Sequence, residues 1–297
     1  MKEKYSTLDE YLAKLDVSLS KLIKDILEVT LEIPKQILSF MKEEKDYAGT
    51  INVSGDMQLS LDVASHELFL QKLPKEDYYL LLGEETTPEN IVKGTGEFII
   101  LGDFIDGSSI VRSRGPGGII LIIDKQGNIK AAITVSYTLF LRFDLATEAG
   151  YLQFIRAEGE FIVLKDTLSI SPSSKPVYGF GGKEEEFSEK EKNFVNKIKK
   201  VGKLRYGGCL VQDMNNILDK TGVFAYFSPK LRLCYEILPY LYILSKVNGK
   251  GYYITKDKEI LSLETAPPLE PDKLTEMDYL HQKVGFIGGS SDLVDLL

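Results

Sequence analysis

The sequence predicts an α+β chain. Helical periodicity dominates residues 7 to 73, period-two apolar patterning takes over between residues 78 and 164, and the remainder alternates helix-like and strand-like segments. Runs of helix followed by runs of strand argue for elements that pack as layers rather than as one repeating βα unit.

The helices come first. Thr7-Leu8-Asp9-Glu10 has the form of a capping box, and Leu8, Tyr11, Leu12 and Leu15 recur on one face behind it. Ser18 is expected to open a second helix carrying Leu19, Leu22, Ile23, Ile26 and Leu27, ended or kinked at Pro34 and continued through Ile37, Leu38 and Met41. The stretch 42–56, KEEKDYAGTINVSGD, reads as a loop, and Gln58 to Leu73 as a third helix with Leu61, Ala64 and Leu68 on its inner face.

Five β-branched and aromatic segments follow: 78–82, 97–101, 117–124, 131–144 and 151–164, with a hairpin turn at DKQGN, 124–128. They predict a mainly antiparallel or mixed sheet. At SPSSKP, 171–176, the composition shifts, dividing the chain into 1–170 and 171–297 within one compact unit. Ser188 heads a helix to about Val201, Cys209 to Lys220 forms another stopped by Gly222, and 223–227 is a strand. Leu233 to Lys246 is a buried helix that Pro239 either tolerates or breaks; 251–255 and 284–289 are strands, and Ser290-Ser291-Asp292 caps a last short helix.

Composition excludes several functions. Net charge is −8 and no Lys/Arg block occurs, so no nucleic-acid partner is expected, and an anionic ligand must be met by local cations or metals. No apolar run spans a bilayer. Two cysteines outside any CxxC give neither a zinc cluster nor a disulfide framework. The opening MKEKYSTLDEYL lacks a signal core and is too acidic for a transit peptide, so a cytoplasmic location is expected. His66 and His281 have no partners in the sequence that suggest a triad, and "RSRGPGG", 112–118, reads as a glycine-rich mobile loop.

The chemistry lies in carboxylates at the ends of apolar segments. Asp56 and Asp62 bracket the start of the third helix, Glu84 and Glu85 end one strand, Asp103 and Asp106 end the next, and Glu236 sits inside LCYEILPYLYI. An ionised carboxylate there is costly unless paired or bound to a cation, and Arg232 offers Glu236 a partner four residues away. In GDFIDGSS, Asp103 and Asp106 can face one site across a turn, Ile105 can add its carbonyl, and Gly107, Ser108 and Ser109 offer amides and hydroxyls to an oxyanion. Each motif alone is ordinary: D-x-x-D-G-S-S is commonly a solvated turn, and GEE a surface loop.

Five segments in this order carry a resemblance: NVSGDMQLSLDV (52–63), GEE (83–85), DFIDGSS (103–109), LRYGGCLVQDM (204–214) and SPKLRLCYEILPYLYI (228–243). Together, from about Thr7 to the C-terminus, they resemble the fructose-1,6-bisphosphatase family of metal-dependent sugar and inositol phosphatases. KLRLCYE with RYGG points to the bisphosphatase branch, and the ending HQKVGFIGGSSDLVDLL is similar to that branch's own.

The resemblance implies a layered α-β-α-β-α sandwich of two mixed sheets, and Mg²⁺-dependent hydrolysis of the 1-phosphate of fructose 1,6-bisphosphate in gluconeogenesis. Two or three Mg²⁺ per site are implied, with Mn²⁺ or Zn²⁺ as possible substitutes. Glu85, Asp103, Asp106 and Glu236 would ligate metal, Glu84 and the Ile105 carbonyl would complete the shell, and Asp56 and Asp62 would orient and deprotonate the attacking water, with Glu84 in the catalytic set as well. Asp106, Gly107, Ser108 and Ser109 would cradle the cleaved phosphate, and Tyr206, Tyr226 and Lys230 would hold the sugar and the retained phosphate. Arg232 would contact the metal-linked phosphate, and Arg205 would enter the neighbouring subunit's site in a homo-oligomer, dimer or tetramer. Crowded acids without cations should carry raised pKa values. The rival readings are a sedoheptulose-1,7-bisphosphatase or other sugar-phosphate phosphatase, and a non-catalytic sugar-phosphate-binding regulatory relative.

Departures from the family pattern matter too. Phe104 replaces a proline, which should soften the turn, and Ile110 replaces an asparagine. Phe180-Gly181-Gly182 stands where N-E-G is expected, removing a side chain from the retained phosphate, and the stretch between Tyr226 and Lys230 is shorter than usual. DVSLSK, 16–21, and Glu97-Phe98 differ from the segments that bind AMP in inhibited members, so no AMP inhibition is expected.

Overall fold

The period-two segments build two sheets, and every remaining helix is disposed around them. The computed structural model describes residues 5–42, 47–51, 57–265 and 269–297. Helices α1 (Leu8–Leu12), α2 (Val17–Thr30) and α3 (Ile33–Lys42) precede a small antiparallel ribbon, β1 (Tyr47–Ile51) with β2 (Met57–Leu59), and helix α4 (Ser60–Lys72). The first large sheet contains β3 (Tyr78–Gly83), β4 (Val92–Lys93), β5 (Phe98–Asp106), β6 (Gly117–Asp124), β7 (Ile129–Tyr137), β8 (Leu141–Thr147), β9 (Gly150–Ala157) and β10 (Glu160–Lys165). Their order is β10-β9-β8-β7-β6-β5-β3-β4; only β3 and β5 run parallel.

The second sheet draws on β11 (Val177–Gly181), β12 (Lys203–Leu204), β13 (Gly222–Arg232), β14 (Gly249–Ile254), β15 (Ile260–Leu261) and β16 (Lys283–Ser290), in the order β12-β11-β13-β16-β14-β15. Helices α5 (Glu189–Val201), α6 (Leu210–Lys220), α7 (Leu238–Lys246), α8 (Met277–Leu280) and α9 (Ser291–Val294) complete the chain. No helix among the described residues is long and apolar enough to cross a membrane.

Every residue of β5 is buried, and successive side chains face two different cores, which sorts the layers. Phe98 and Ile100 face a core shared with Leu22, Ile26 and Phe69 of the N-terminal helices, whereas Ile99 and Leu101 face a second core with Met214 of α6, Tyr240 of α7 and Phe224 of the second sheet. A third core packs Val223 and Ile287 of that sheet against Phe194 and Ile198 of α5 and Leu293 of α9. The sequence of layers is therefore helix, sheet, helix, sheet, helix, as expected. The middle core takes residues from both sides of residue 170.

Several boundaries differ from the sequence expectation. Helix α2 is capped by Asp16, not Ser18: its carboxylate accepts from the Ser18 and Leu19 amides at 2.8 and 3.4 Å, and a charged acceptor suits the positive end of a helix. Thr7 does cap α1, but Glu10 reaches back to the Ser6 amide at 2.8 Å. The helix does break ahead of Pro34: α2 ends at Thr30, whose carbonyl a proline four residues on cannot bond, and α3 resumes at Ile33 with Pro34 in its first turn, where a missing N–H costs no bond. Within the expected loop 42–56, residues 47–51 form a strand.

The single strands read at 131–144 and 151–164 are hairpins. The first turns at 138–140, where Leu139 and Phe140 are exposed and no Gly, Pro or Asn marks the break. The second turns at Glu158-Gly159, both in left-handed backbone with φ of 51° and 82°. The segment from Leu233 divides into a π-helical turn, Leu233–Ile237, followed by α7, with Pro239 again in a first turn. The left-handed residue that ends α6 is Thr221, φ 60°, rather than Gly222.

One buried polar cluster ties the large sheet to α6. Asp144, 1% exposed, accepts from Arg142 Nε at 3.0 Å, from Gln153 Nε2 at 3.0 Å and from the Tyr151 hydroxyl, while Arg142 Nη1 pairs with Asp219 of α6 at 2.5 Å. Removing one member of a buried ion pair strands the other, at about 3–5 kcal/mol. Asp144→Ala should therefore lower the unfolding free energy by about that amount. The urea midpoint at unchanged slope measures this, and an unshifted midpoint would refute the role given to the cluster.

Candidate active site

Sheet register brings the acids together. The parallel pairing of β3 and β5 sets Gly83 beside Gly102, so the Glu84–Glu85 turn leaves the sheet beside Asp103–Asp106, which are the last residues of β5, paired with β6 across an irregular register, where the sequence led us to expect a turn. The Glu84 amide donates to the Gly102 carbonyl at 3.1 Å and locks the two together. The π-helical turn adds Glu236 from the opposite side, and α4 adds Asp62. All of them line one cleft of about 530 Å³.

Among the described residues, Asp103, Asp106 and Glu236 each present a carboxylate oxygen within 4.8 Å of the other two, and all three are buried. Burial, then the charges of Glu84, Asp106, Glu236 and Asp62, push the Asp103 carboxyl well above its ordinary range. Burial raises Asp106 too, against the lowering effect of its donors: Val211 N–H at 2.6 Å and the Cys209 thiol at 3.1 Å. Glu236 is raised to about 8 by burial and by Glu84, with Arg232 opposing. The expectation of raised values in this cluster holds.

Arg232 is the cation that faces the acids. Its guanidinium pairs closely with Glu84 and lies 3.9 Å from Glu236, and its amide donates to Glu236 Oε2 at 2.5 Å. The pairing with Arg232 therefore exists alongside the cluster rather than instead of it. A buried acid triad with one guanidinium at its edge, and hard oxygen donors throughout, fits a divalent cation such as Mg²⁺. Asp103, Asp106 and Glu236, with Glu84 and Glu85 beside them, are the residues able to hold it.

The other wall carries glycine, hydroxyl, aromatic and ammonium groups. Gly107 takes a left-handed conformation, φ 81°, and a side chain there would come within 2.8 Å of Cys209 Cβ. Ser108 and Ser109 follow in a single 3₁₀ turn, and Ser108 Oγ donates to Asp62 Oδ2 at 3.2 Å. Tyr206, Tyr226 and Lys230 line the same cleft, with the Lys230 ammonium 5.9 Å from the Tyr226 ring. Arg205 does not line it; it is exposed, and Nη1 donates to the Leu204 carbonyl at 2.8 Å. Asp56 lies outside the described residues.

The departures acquire physical reasons. Phe104 is buried and stacks on Phe69 at 3.9 Å, so aromatic packing against α4 braces the strand end where a softened turn was expected. Phe180 points into the third core against Phe194 and Phe227. Gly181 lets the Tyr226 ring press onto β11, since a Cβ there would lie 2.2 Å from it.

Sequence reasoning missed several supporting groups. Cys209, which the sequence excluded only from a zinc cluster or a disulfide framework, donates its thiol to Asp106. Asp213 of α6 accepts from the Gly207 and Gly208 amides at 2.6 and 3.1 Å and shapes the Tyr206 loop; its position inside LRYGGCLVQDM was the available signal. Arg112, in the supposed mobile loop, lies 5.1 Å over the Phe40 ring and donates to the Met41 carbonyl at 3.1 Å, tying the cleft to the end of α3. His66 is buried beside Phe104, and burial holds its pKa at about 4.

Residues 171–297 match the family model for the fructose-1,6-bisphosphatase C-terminal domain. The chain is 29% identical over 299 residues to a class 1 fructose-1,6-bisphosphatase of Haloarcula marismortui, covering 95% of this chain and 97% of that one. It is 30% identical over 292 residues to the class 1 enzyme of Campylobacter concisus, covering 93% and 96%. Among solved structures it is similar to Leishmania major fructose-1,6-bisphosphatase in holo form, with a TM-score of 0.81, 24% identity and coverage of 98% and 97%. A putative sedoheptulose-1,7 bisphosphatase from Toxoplasma gondii gives a TM-score of 0.75 at 20% identity, covering 97% and 96%.

The raised Glu236 value carries a sign. Without a cation the folded chain keeps that proton up to about pH 8, whereas an unfolded chain releases it near 4.5. The resulting stability is complete below the unfolded value and is lost as pH climbs through the folded one. A cation demands the ionised form, so adding Mg²⁺ to metal-free protein at about pH 7 should release protons, and affinity should rise between about pH 6 and pH 8. Calorimetry in two buffers of different ionisation enthalpy measures the release; binding without it would contradict the reading of Glu236.

Proposed function

The chain belongs to the class 1 fructose-1,6-bisphosphatase family of phosphatases, and from that premise we propose that it hydrolyses the 1-phosphate of fructose 1,6-bisphosphate, giving fructose 6-phosphate and phosphate. The observation that carries the reading is the meeting of Asp103, Asp106 and Glu236 in a cleft whose other wall holds Tyr206, Tyr226 and Lys230. A bisphosphate needs both ends: acids with cations for the ester that breaks, and a lysine with hydroxyls for the phosphate that stays.

In this proposal Asp103, Asp106 and Glu236, with Glu84, Glu85 and the Ile105 carbonyl, hold two or three Mg²⁺, which Mn²⁺ or Zn²⁺ can replace. Bound there, the cations neutralise charge on the phosphoryl group and stabilise the attacking and leaving oxygens. Asp62 and Asp56 orient a water and accept its proton as the water oxygen bonds to phosphorus. The P–O bond to the sugar breaks, and the sugar oxygen takes up a proton. Ser108, held to Asp62 by its hydroxyl, fixes the phosphate cradle relative to that base. Gly107 and Ser109 line the cradle, and Arg232 holds the phosphate from its edge. We assign the enzyme to the cytoplasm and to gluconeogenesis, as a dimer or tetramer in which Arg205 extends into the neighbouring site.

A sedoheptulose 1,7-bisphosphate reading has one observation in its favour. The loss of the N-E-G asparagine at Phe180–Gly182 removes a contact from the retained-phosphate end, and a longer sugar places that phosphate differently. Regulation by AMP is not expected. The Asp16 carboxylate already occupies the amides at the start of α2, and Glu97 accepts from Ser18 Oγ at 3.4 Å, so a nucleotide phosphate there would meet two acids.

Phosphate release from a panel of sugar phosphates with Mg²⁺ tests the substrate. Fructose 1,6-bisphosphate should show the highest kcat/KM, and Asp103→Asn should lower it about 10³-fold, as expected for several kcal/mol of lost transition-state stabilisation. Binding of the sugar with no phosphate release under Mg²⁺, Mn²⁺ or Zn²⁺ would instead identify a non-catalytic regulatory relative. Titrating AMP into the same assay should leave the rate unchanged; inhibition abolished by substitutions at Ser18 or Ser20 would refute the regulatory reading.

A further inference from the structure

Two of the segments that carry acids into the site are joined by a side chain that does not enter it. His281 is buried in the stretch leading into β16. Its Nδ1 lies 2.8 Å from the Tyr235 hydroxyl, and its Nε2 lies 3.1 Å from the Thr86 carbonyl oxygen. Tyr235 directly precedes Glu236, and Thr86 directly follows Glu84 and Glu85. The bridge therefore spans the two sides of the acid cluster from behind.

The chemistry of the partners fixes the tautomer. A carbonyl oxygen can only accept, so Nε2 must carry the hydrogen. A neutral imidazole has one N–H, which leaves Nδ1 as the acceptor of the Tyr235 O–H. One tautomer satisfies both bonds at once and gives the chain a direction, from Tyr235 through His281 to Thr86. Neutrality is favoured by burial and by the nearby charges of Arg232 and Lys283.

Neighbouring bonds make both ends rigid. The Leu233 amide donates to the Gln282 carbonyl at 2.9 Å, and Arg232 pairs with Lys283 where β13 meets β16, so the π-helical turn is stitched to the segment bearing His281. At the other end, the Thr86 hydroxyl accepts from the Gly83 amide at 2.7 Å, and the Thr86 amide donates to the Gly83 carbonyl at 3.1 Å. A shift of the imidazole would therefore be felt as a change in the distance between the Glu84–Glu85 turn and Glu236.

We infer that His281 is a positioning residue, a clamp that sets the spacing at which the Glu84–Glu85 turn and Glu236 meet a divalent cation. The inference rests on the reading of these acids as cation ligands. A residue that only packs the core would affect stability. A clamp would also affect cation affinity at temperatures where the fold is intact.

The chain has two histidines, which makes the ring nitrogens accessible to ¹⁵N NMR on the metal-free full-length protein. His281→Gln identifies the His281 signals by their loss. Nε2 should be protonated and Nδ1 bare; the opposite tautomer or a doubly protonated ring at neutral pH would overturn the clamp. Cation binding is then read by calorimetry with Mn²⁺ as the probe. His281→Ala should weaken Mn²⁺ binding about 10-fold or more, the usual effect of losing an outer partner of a metal site. His281→Gln, whose amide N–H can still reach the Thr86 carbonyl, should recover part of the loss. Should His281→Ala fail to fold, Tyr235→Phe keeps the ring, removes the donor and should weaken Mn²⁺ in the same direction. Folded variants with unchanged Mn²⁺ affinity would overturn the inference. Failure of the wild-type protein to bind Mn²⁺ would sink the ligand reading itself, and the ring spectra would still decide whether the clamp exists.

Discussion

Like charge held at short range in a buried place is the constraint on which the rest of this molecule depends. Two unit charges about 4 Å apart repel by about 4 kcal/mol at an effective dielectric of about 20, and desolvation adds to that for each carboxylate. Asp103, Asp106 and Glu236 each place a carboxylate oxygen within 4.8 Å of the other two, little beyond that distance. They stay there because the backbone holds them: β5 pairs with β3 from Phe98 to Gly102 and with β6 on to Asp106, and the π-helical turn is fixed between β13 and α7. Part of the cost is offset locally. Val211 and Cys209 donate to Asp106, and Arg232 sits between Glu84 and Glu236. The remainder appears as raised pKa values: the cluster keeps protons that dispersed carboxylates would release.

The parallel pair β3–β5 is the architectural device behind this. In an otherwise antiparallel sheet, one parallel pairing brings two strand C-terminal ends to the same edge, so the acidic turn after β3 and the acidic end of β5 can face one point. Loops at the C-terminal ends of parallel strands are where α/β proteins place ligands, and the same logic operates here in a single strand pair. The antiparallel remainder serves a different purpose: it buries both faces of β5 and β6 between two cores, which gives the acids a stiff base.

Legibility in the sequence followed the strength of local signals. Long periodic elements such as α2 and α5, and the apolar strands β3, β5 and β6, could be read because a period of 3.6 or 2 is printed in the residues themselves. The hairpin turn at 138–140 could not, since Thr138-Leu139-Phe140 carries no turn chemistry and only the tertiary fold bends it. The same division holds at the site. Asp103, Asp106, Glu84, Glu85 and Glu236 were visible as carboxylates in improbable apolar surroundings. Cys209 and His281 were not, because each acts through a contact made across a long sequence separation, 103 residues to Asp106 and 195 to Thr86; Asp213 acts within its own segment, on the amides five and six residues before it. Residue type names a ligand; it does not name what orients the ligand.

Helix α6 shows how far that orientation extends. At its N-terminus, Val211 N–H and Cys209 hold Asp106, and Asp213 organises the glycine pair behind Tyr206. At its C-terminal end, Asp219 is anchored by Arg142 and Lys165 to β8 and β10 of the large sheet. One helix therefore touches the acid end of the cleft, the Tyr206 loop and the large sheet. The eleven-residue span of α6 fixes the separation of these three points. A fixed separation of these points presets the geometry offered to any ligand that spans the cleft, so orientation is established before binding.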